Sequence, residues 1–316
     1  MKYVDVVGVG RIGHGIAACV AIHGYSVRLR DVKQRTETEK NQIRQKALSL
    51  VYECILLFDG ENALREKPEE IMRKVEFVSG YDRVEEAFHI VEAVPENIEI
   101  KKAVYERLSE KTSVDAVLAS ASSSIRPSAL AKFVKNPSRF LVTHWINPAE
   151  LVPLVEVAAS PFTSKTVLDD TVSFLKSCGK IPVVCSDSPG YVSARLQAAL
   201  MNEALRLVEE GVASPESVDK ALMAGIGFRL AVQGLLEFLD WGGVDILHKV
   251  DNYLASELNA ERFKPPAILK QLVEKQHFGM DKGRGIYDYS GVDVEALKTT
   301  RKKQMINRLK QLGILR

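Results

Sequence analysis

Val4-Asp5-Val6-Val7-Gly8-Val9-Gly10-Arg11-Ile12-Gly13 is the stretch that decides the fold of the first half of this chain. A short apolar run, interrupted only by Asp5, ends at Gly8. A helical pattern follows from about Ile12 to His23 and stops at Gly24, and Val27 to Leu29 then alternates toward Asp31. Strand, glycine turn, helix, strand is how a parallel α/β sheet begins. In that context GxGxxG is more than a turn. Gly8 permits a tight bend, Gly10 lets backbone approach a pyrophosphate, and Gly13 lets helix and strand pack closely while the helix amides face phosphate. Gly8, Gly10, Arg11, Ile12 and Gly13 are therefore the expected phosphate-binding set. Asp31, at the end of the second strand, is placed to accept from both ribose hydroxyls and to repel a 2′-phosphate. That favours NAD over NADP. Arg28, Arg30 and Lys33 are nearby cations that could pair with a 2′-phosphate, although Arg28 and Arg30 alternate away from the positions following Asp31.

Further strands are predicted at Val75–Val78, His89–Val94, Ala116–Ala119, Phe140–His144, Leu154–Val157 and Ile181–Cys185. Helical patterns lie between several of them, at Glu39–Leu57, Glu99–Leu108 and Lys165–Lys176. The texture changes after Cys185. Ser186-Asp187-Ser188-Pro189-Gly190 is turn-rich, and a long amphipathic pattern then runs from Tyr191 to Glu210 and stops at Gly211. Ser214-Pro215-Glu216 reads as a capped helix start, and only helical patterns and loops follow. The expected architecture is an α/β Rossmann-type domain with a mostly parallel sheet over 1–185, then an all-α domain over 186–316.

With 316 residues the chain has room for two cores, and a net charge of +2 gives no general attraction to polyanions. Its one dense basic run, Arg301-Lys302-Lys303, reads as a solvated helix face, so no nucleic-acid partner is expected. Cys19, Cys54, Cys178 and Cys185 form no CxxC pair and no zinc-type spacing with histidine. They read as buried thiols of a reducing compartment, with no metal site. Met-Lys followed directly by a strand lacks a signal-peptide pattern, and no apolar stretch reaches membrane-spanning length. A cytoplasmic protein with no membrane partner is the expectation.

Further motifs accompany the glycine fingerprint. They are Glu92-Ala93-Val94-Pro95-Glu96-Asn97, Ala119-Ser120-Ala121-Ser122-Ser123-Ser124, Thr143-His144-Trp145-Ile146-Asn147-Pro148, Leu154-Val155-Glu156-Val157, and Phe278-Gly279 with Gly283 and Gly285. In this order and spacing the chain resembles the 3-hydroxyacyl-CoA dehydrogenase family over nearly its whole length. It is nearest the branch that acts on free acids: L-gulonate 3-dehydrogenase (lambda-crystallin), carnitine dehydrogenase and a pyridine-carboxylate dehydrogenase. Arg206-Leu207-Val208-Glu209-Glu210-Gly211 and Gly225-Ile226-Gly227-Phe228-Arg229 add to that likeness. The resemblance implies a Rossmann domain followed by a helical dimerisation domain, hence a homodimer. It also implies hydride transfer between NAD and the 3-hydroxyl of a small-molecule substrate.

Oxidising a secondary alcohol needs a base for the hydroxyl proton and a group to steady the oxygen as its charge changes. His144 is the candidate base, because an imidazole ordinarily titrates near neutrality. Glu156, near the next strand pattern, is the candidate carboxylate to orient it. Ser123 matches the family serine that hydrogen-bonds the substrate hydroxyl, although Ser122 or Ser124 could equally point inward. Glu96, Lys101 and Asn147 match positions near the nicotinamide ribose, with Asn147 also toward substrate. Taken alone, Lys101 reads as an ordinary exposed helix lysine. Arg229 is the candidate clamp for a substrate carboxylate, against a bland reading as a surface residue at a helix end.

Two departures from the family stand out. Where it usually has Asn-Arg-Leu, this chain has Ala194-Arg195-Leu196, so one polarising group is missing. Gln197, on the same helical face, is the nearest substitute, and Ser193 a less suitable one. The family lysine in the late Phe-Gly segment aligns with Asp281, one place before Lys282. Three readings follow: a dehydrogenase of a small 3-hydroxy carboxylate, a 3-hydroxyacyl-CoA dehydrogenase, or a catalytically weakened NAD-binding protein with a structural or sensing role. The stretch from Lys46 to Lys67 is apolar in its middle and lacks the lysine cluster that thioester enzymes offer to CoA phosphates, which favours the first.

Overall fold

The computed structural model describes residues 3–315. Its packing divides the chain into two compact units, one ending at Met201 and the other starting at Asn202.

The first unit carries an eight-stranded sheet. The strands are β1 (Tyr3–Val7), β2 (Ser26–Asp31), β3 (Val75–Ser79), β4 (Ala87–Glu92), β5 (Val117–Ser120), β6 (Phe140–Trp145), β7 (Leu154–Ala159) and β8 (Ile181–Cys185). Their order is β3-β2-β1-β4-β5-β6-β7-β8, parallel throughout except for the antiparallel pair β6 and β7. The order reverses between β1 and β4, so the carboxyl ends of those two strands open a crevice where ligands bind in such sheets. Helices α1 (Arg11–Ile22), α2 (Glu37–Gly60), α3 (Pro68–Met72), α4 (Ile98–Lys111), α5 (Pro127–Leu130) and α6 (Lys165–Ser177) cover it. On one face Ile16, Val20, Val51 and Leu175 pack over Val4, Val6 and Leu29; on the other, Val104, Tyr105 and Leu108 pack over Val7, Ile90 and Phe140.

Local chemistry explains where elements start and stop. Thr36 and Glu39 cap each other's amides in a reciprocal box, so α2 begins at Glu37, ahead of the apolar pattern. Asn97 caps α4 by accepting from the amides of Glu99 and Ile100. Strand β4 ends at Glu92 rather than Val94, because the Val94 amide turns to the Glu92 carboxylate, at 2.8 Å.

Asp5, Arg28 and Arg30 correct the sequence reading. Asp5 is fully buried in β1 and holds both guanidiniums of β2, Arg28 Nε at 2.8 Å and Arg30 Nε at 2.6 Å. Arg28 also reaches Glu86, and Arg30 donates to the carbonyls of Gly80 and Asp82. Neither is a surface cation near Asp31. Cys19, Cys54 and Cys178 are buried free thiols, whereas Cys185 is half-exposed because β8 is the sheet's edge strand.

Helix α7 (Ser193–Glu209) carries the chain into the second unit. There follow α8 (Pro215–Ala221), a π-helical stretch over Leu222–Gly227, α9 (Phe228–Leu230), α10 (Leu235–Gly242), α11 (Val244–Glu257), α12 (Ala267–Glu274) and α13 (Val294–Gln311). Ser214 caps α8, with Pro215 in its first turn. The late glycine motif is a packing device. Buried Asp240 accepts from the amides of Ile286 and Tyr287 and from the Tyr289 hydroxyl. A Cβ on Gly279 would stand 2.1 Å from the Asp240 carbonyl oxygen, and one on Gly285 2.1 Å from its carboxylate. Two isolated β-bridges, Gly279 with Arg284 and Arg284 with Asp288, tie this loop, and the unit is helical with no strand among the described residues. Arg301 is held by Glu237, which leaves Lys302 and Lys303 as the exposed part of the basic run. Among the described residues, no single helix is long and apolar enough to cross a membrane.

Removing Asp5 takes away the one carboxylate the two buried guanidiniums share, leaving Arg28 with Glu86 and Arg30 with carbonyls alone, a cost of up to about 3–5 kcal/mol. Asp5→Ala should therefore lower the urea midpoint of the first unit sharply, as read by circular dichroism. An unchanged midpoint would show that the two arginines find other acceptors.

Candidate active site

A cleft of about 1020 Å³ opens at the carboxyl ends of β1 and β4, lined among others by Gly8, Gly10, Asp31, Glu96, Ser123, His144, Asn147 and Ala194. Arg11 and Ile12 are also in its wall. The glycines are demanded by geometry. Gly8 has φ +126°, and a Cβ there would stand 2.5 Å from the Ala93 carbonyl oxygen. A Cβ on Gly13 would overlap the Gly8 carbonyl at 1.8 Å. Gly10 differs, since nothing lies within 4 Å of where its Cβ would stand. It precedes α1, whose amino end has no side-chain cap. Open space beside uncapped amides fits a pyrophosphate. Asp31 lies at the cleft's side, 5% exposed, and accepts from Arg35 Nε. The sequence does not single out Arg35. It lies in the loop after β2, where spacing alone does not reveal the pairing.

The reacting end is built on β6 and β7. Their antiparallel register sets His144 directly opposite Glu156. The His144 ring faces the cleft and its Nδ1 lies 2.7 Å from Glu156 Oε2. Glu156 is fully buried and heavily donated to. The amides of Val192 and Ser193 reach its Oε1 at 2.9 and 2.7 Å, and Ser193 Oγ donates to Oε2 at 2.5 Å. Burial pushes this carboxyl up, but the Ser193 hydroxyl, His144 and the two amides outweigh it, and its pKa lies below the ordinary carboxylate value. Glu156 stays an anion, which keeps a proton on His144 Nδ1 and leaves Nε2 as the basic nitrogen.

A second carboxylate organises the serine loop. Glu96 Oε1 accepts from Ser122 Oγ at 2.5 Å, from the amides of Ser123 and Ser124 at 3.1 Å, and from Ser124 Oγ at 3.2 Å. Burial raises the Glu96 carboxyl, and donation from Ser122 together with the Lys101 charge overcomes it to leave the pKa lowered. The Ser122 and Ser124 hydroxyls are thus engaged. Ser123 lines the cleft, and among the described residues its hydroxyl has no partner.

Lys101 is neither an exposed helix lysine nor part of the cleft wall. It is 1% exposed, with Nζ 2.8 Å from Glu92 and 3.4 Å from Glu96. Glu92 is fully buried and also accepts from Ser120 Oγ at 2.8 Å and from the Tyr105 hydroxyl. Lys101 therefore stands behind Glu96 and holds it from the rear. Sequence reasoning missed Glu92 and the role of Ser193. Each partner is distant along the chain, and neither residue belongs to a pattern that periodicity can show.

Ala194 and Gln197 both line the cleft, so the position of the expected amide is occupied by a methyl group with one carboxamide nearby. In the helical unit Asp281 pairs with Lys298, which accounts for the acid where the family has lysine. Arg229 lies on α9, its Nε 3.3 Å from the Gly225 carbonyl and its guanidinium 4.2 Å over the Phe238 ring.

A glycine-turn cleft at a sheet reversal, with a histidine and an orienting carboxylate at one end, defines a dinucleotide-dependent oxidoreductase. The family model for the 3-hydroxyacyl-CoA dehydrogenase NAD binding domain matches residues 3–188, and that for the 3-hydroxyacyl-CoA dehydrogenase C-terminal domain matches residues 190–289. A 5-formyl-3-hydroxy-2-methylpyridine 4-carboxylate 5-dehydrogenase of Mesorhizobium japonicum is 32% identical over 97% of this chain and 96% of its own. A probable 3-hydroxybutyryl-CoA dehydrogenase of Deinococcus radiodurans is 30% identical over 92% of this chain and 100% of its own. The solved 3-hydroxyacyl-CoA dehydrogenase of Archaeoglobus fulgidus superposes with a TM-score of 0.78 at 31% identity, covering 99% of both chains. The chain belongs to the 3-hydroxyacyl-CoA dehydrogenase family, and it is an NAD-dependent oxidoreductase.

Ser193→Ala removes a hydroxyl donor to a buried anion, an interaction worth about 1.5–3 kcal/mol. We expect kcat to fall roughly tenfold or more with little change in NAD affinity. The lost donor had lowered the Glu156 pKa, so its removal raises it, and the acid limb of the kcat profile should move to higher pH. An unshifted limb would show that Ser193 does not tune Glu156.

Proposed function

We propose that the chain oxidises, reversibly, the 3-hydroxyl of a small 3-hydroxy carboxylate, with His144 as the base. The observation that carries this is the 2.7 Å pair between His144 Nδ1 and buried Glu156 in the wall of the glycine-turn cleft. Gly8, Gly10, Arg11, Ile12, Gly13 and Asp31 hold the dinucleotide, which accepts the hydride when bound. Glu96 and Asn147 lie toward its ribose end, and Lys101 positions Glu96. His144 Nε2 takes the hydroxyl proton as the hydride leaves, and Glu156 stabilises the resulting imidazolium. Ser123 donates its unengaged hydroxyl to the substrate oxygen. In the reverse direction His144 returns the proton.

Support for a free acid comes from the helical unit. Arg229 pairs with no carboxylate among the described residues; its Nε donates to the Gly225 carbonyl and its face lies over Phe238, which leaves its terminal nitrogens for an anionic substrate. The pyridine-carboxylate relative spans nearly the whole chain. A thioester reading is favoured by the 3-hydroxybutyryl-CoA dehydrogenase relative, of which the chain covers the full length. We assign residues 186–316 to substrate binding and homodimer formation. Leu235, Leu236, Ile246, Val250 and Tyr253 of that segment are exposed apolar side chains of the kind a second copy would cover. A cytoplasmic location accords with the free thiols.

The test is NADH formation with a panel of 3-hydroxy acids and 3-hydroxyacyl-CoA esters. His144→Ala should abolish turnover while NAD still binds. Arg229→Met should raise KM for acids roughly a hundredfold or more, since removing one partner of a desolvated charged pair costs about 3–5 kcal/mol. Better turnover of acyl-CoA by the wild type, or an unchanged KM in Arg229→Met, hands the assignment to the thioester.

Ala194→Asn restores an amide to the cleft wall. An oxyanion-type donor is worth about 3–4 kcal/mol, so kcat should rise about tenfold or more. No rise would show that Gln197 already supplies the donor.

A further inference from the structure

A second recess of about 670 Å³ adjoins the cofactor cleft and shares Val32, Lys33, Arg35, Val94 and Pro95 with it. Lys33, Arg35, Lys40 and Arg107 lie in its wall, and no carboxylate does. Three acids on the flanking helices α2 and α4 are already committed. Glu37 pairs with Lys40 at 2.5 Å, Glu110 with Arg107 at 3.4 Å, and Glu39 caps α2. Lys33 has no carboxylate partner among the described residues; only its backbone amide touches Asp31, at 3.4 Å.

Asp31 is the residue that should exclude a 2′-phosphate, because a bare carboxylate repels it. Here it is not bare. Arg35 donates Nε to Asp31 Oδ2, and that is the one nitrogen of Arg35 with a partner among the described residues. A guanidinium carries five N–H donors, so one held through Nε keeps others for a phosphate, a geometry lysine cannot reproduce. The Arg35 side chain is 23% exposed, and its neighbour Lys33 is free.

We propose that this corner also accepts the 2′-phosphate of NADP(H), so that the chain is a dual-cofactor enzyme with a shallow preference for NAD. Arg35 neutralises Asp31 and, with Lys33, holds the phosphate on the side away from the carboxylate.

The test separates the 2′-phosphate from the rest of the dinucleotide. Binding of 5′-AMP and of adenosine 2′,5′-bisphosphate to the full chain is measured by calorimetry, and NADH and NADPH binding by fluorescence. For the wild type the two affinities in each pair should agree within about tenfold, the scale of one exposed ion pair. In Arg35→Ala the carboxylate faces the phosphate alone, and like charges brought together are strongly unfavourable. Affinity for the bisphosphate should then fall roughly a hundredfold, with 5′-AMP changed by less than about threefold. Lys33→Ser, which leaves Asp31 paired, should move the ratio the same way by a smaller factor and covers the case of an Arg35 variant that does not fold. A wild type that binds 5′-AMP but not the bisphosphate overturns the proposal, as does an unchanged ratio in both variants. Inorganic phosphate that displaces both nucleotides equally also overturns it, since the recess would then be a general anion site.

Discussion

The buried charge of Glu156 is the constraint on which the reacting end of this protein depends. A carboxylate with no solvent contact is tolerated only if donors surround it. Its four donors come from two places: the imidazole of β6, and the hydroxyl and two amides at the start of α7. One anion therefore fixes the tautomer of the base and also the point where the long helix begins. Because α7 starts there, Ala194 and Gln197 fall on the cleft wall. The antiparallel turn of β7 is part of the same solution. Strand β6 runs toward the crevice and ends near His144, so a strand returning from the crevice is needed to bring a carboxylate opposite it.

The other side of the cleft repeats this logic with two carboxylates in series. Glu92 anchors Lys101, Lys101 leans on Glu96, and Glu96 gathers the serine loop. The lysine charge is balanced by buried Glu92 at 2.8 Å and by the partly exposed Glu96 at 3.4 Å, so burial of Lys101 and Glu92 is sustainable where burial of either alone would not be. The result is rigidity at a loop. Ser122 and Ser124 commit their hydroxyls to Glu96, and this presents Ser123 without help from regular secondary structure.

Features legible in the sequence were those with a local signature. The glycine turn, the strand and helix rhythm through Cys185, the capped start at Ser214 and the pairing of His144 with Glu156 each follow from short spacing or from the family likeness. Features that depended on distant partners were not legible. Arg28 and Arg30 read as free cations because nothing local shows that Asp5 lies beside them in the sheet. Lys101 read as solvated because helix periodicity cannot announce a buried acid from another strand. Gly279 and Gly285 entered only through the family likeness, and their physical reason, the approach of Asp240, is not visible in the sequence. The late acid Asp281, a puzzle in one dimension, is answered by Lys298 seventeen residues on.

Around the proposed reacting end the carboxylates and two of the serines are engaged, and the unpartnered polar groups are the ones the proposed reaction uses. Glu96, Glu156, Ser122 and Ser124 are all committed. Among the described residues that line the cleft, the Ser123 hydroxyl and the Asn147 and Gln197 side chains make no hydrogen bond, and His144 uses only Nδ1. A secondary alcohol brings one hydroxyl, which can give its proton to His144 Nε2 and accept from Ser123 at once. As the carbon becomes a ketone, its oxygen keeps the Ser123 donor and gains the imidazolium. An amide at position 194 would be a third donor to that oxygen, and an alanine methyl cannot be one. In the proposed reaction, transition-state stabilisation therefore rests on His144 and Ser123, with Gln197 the one carboxamide near position 194 in the cleft wall.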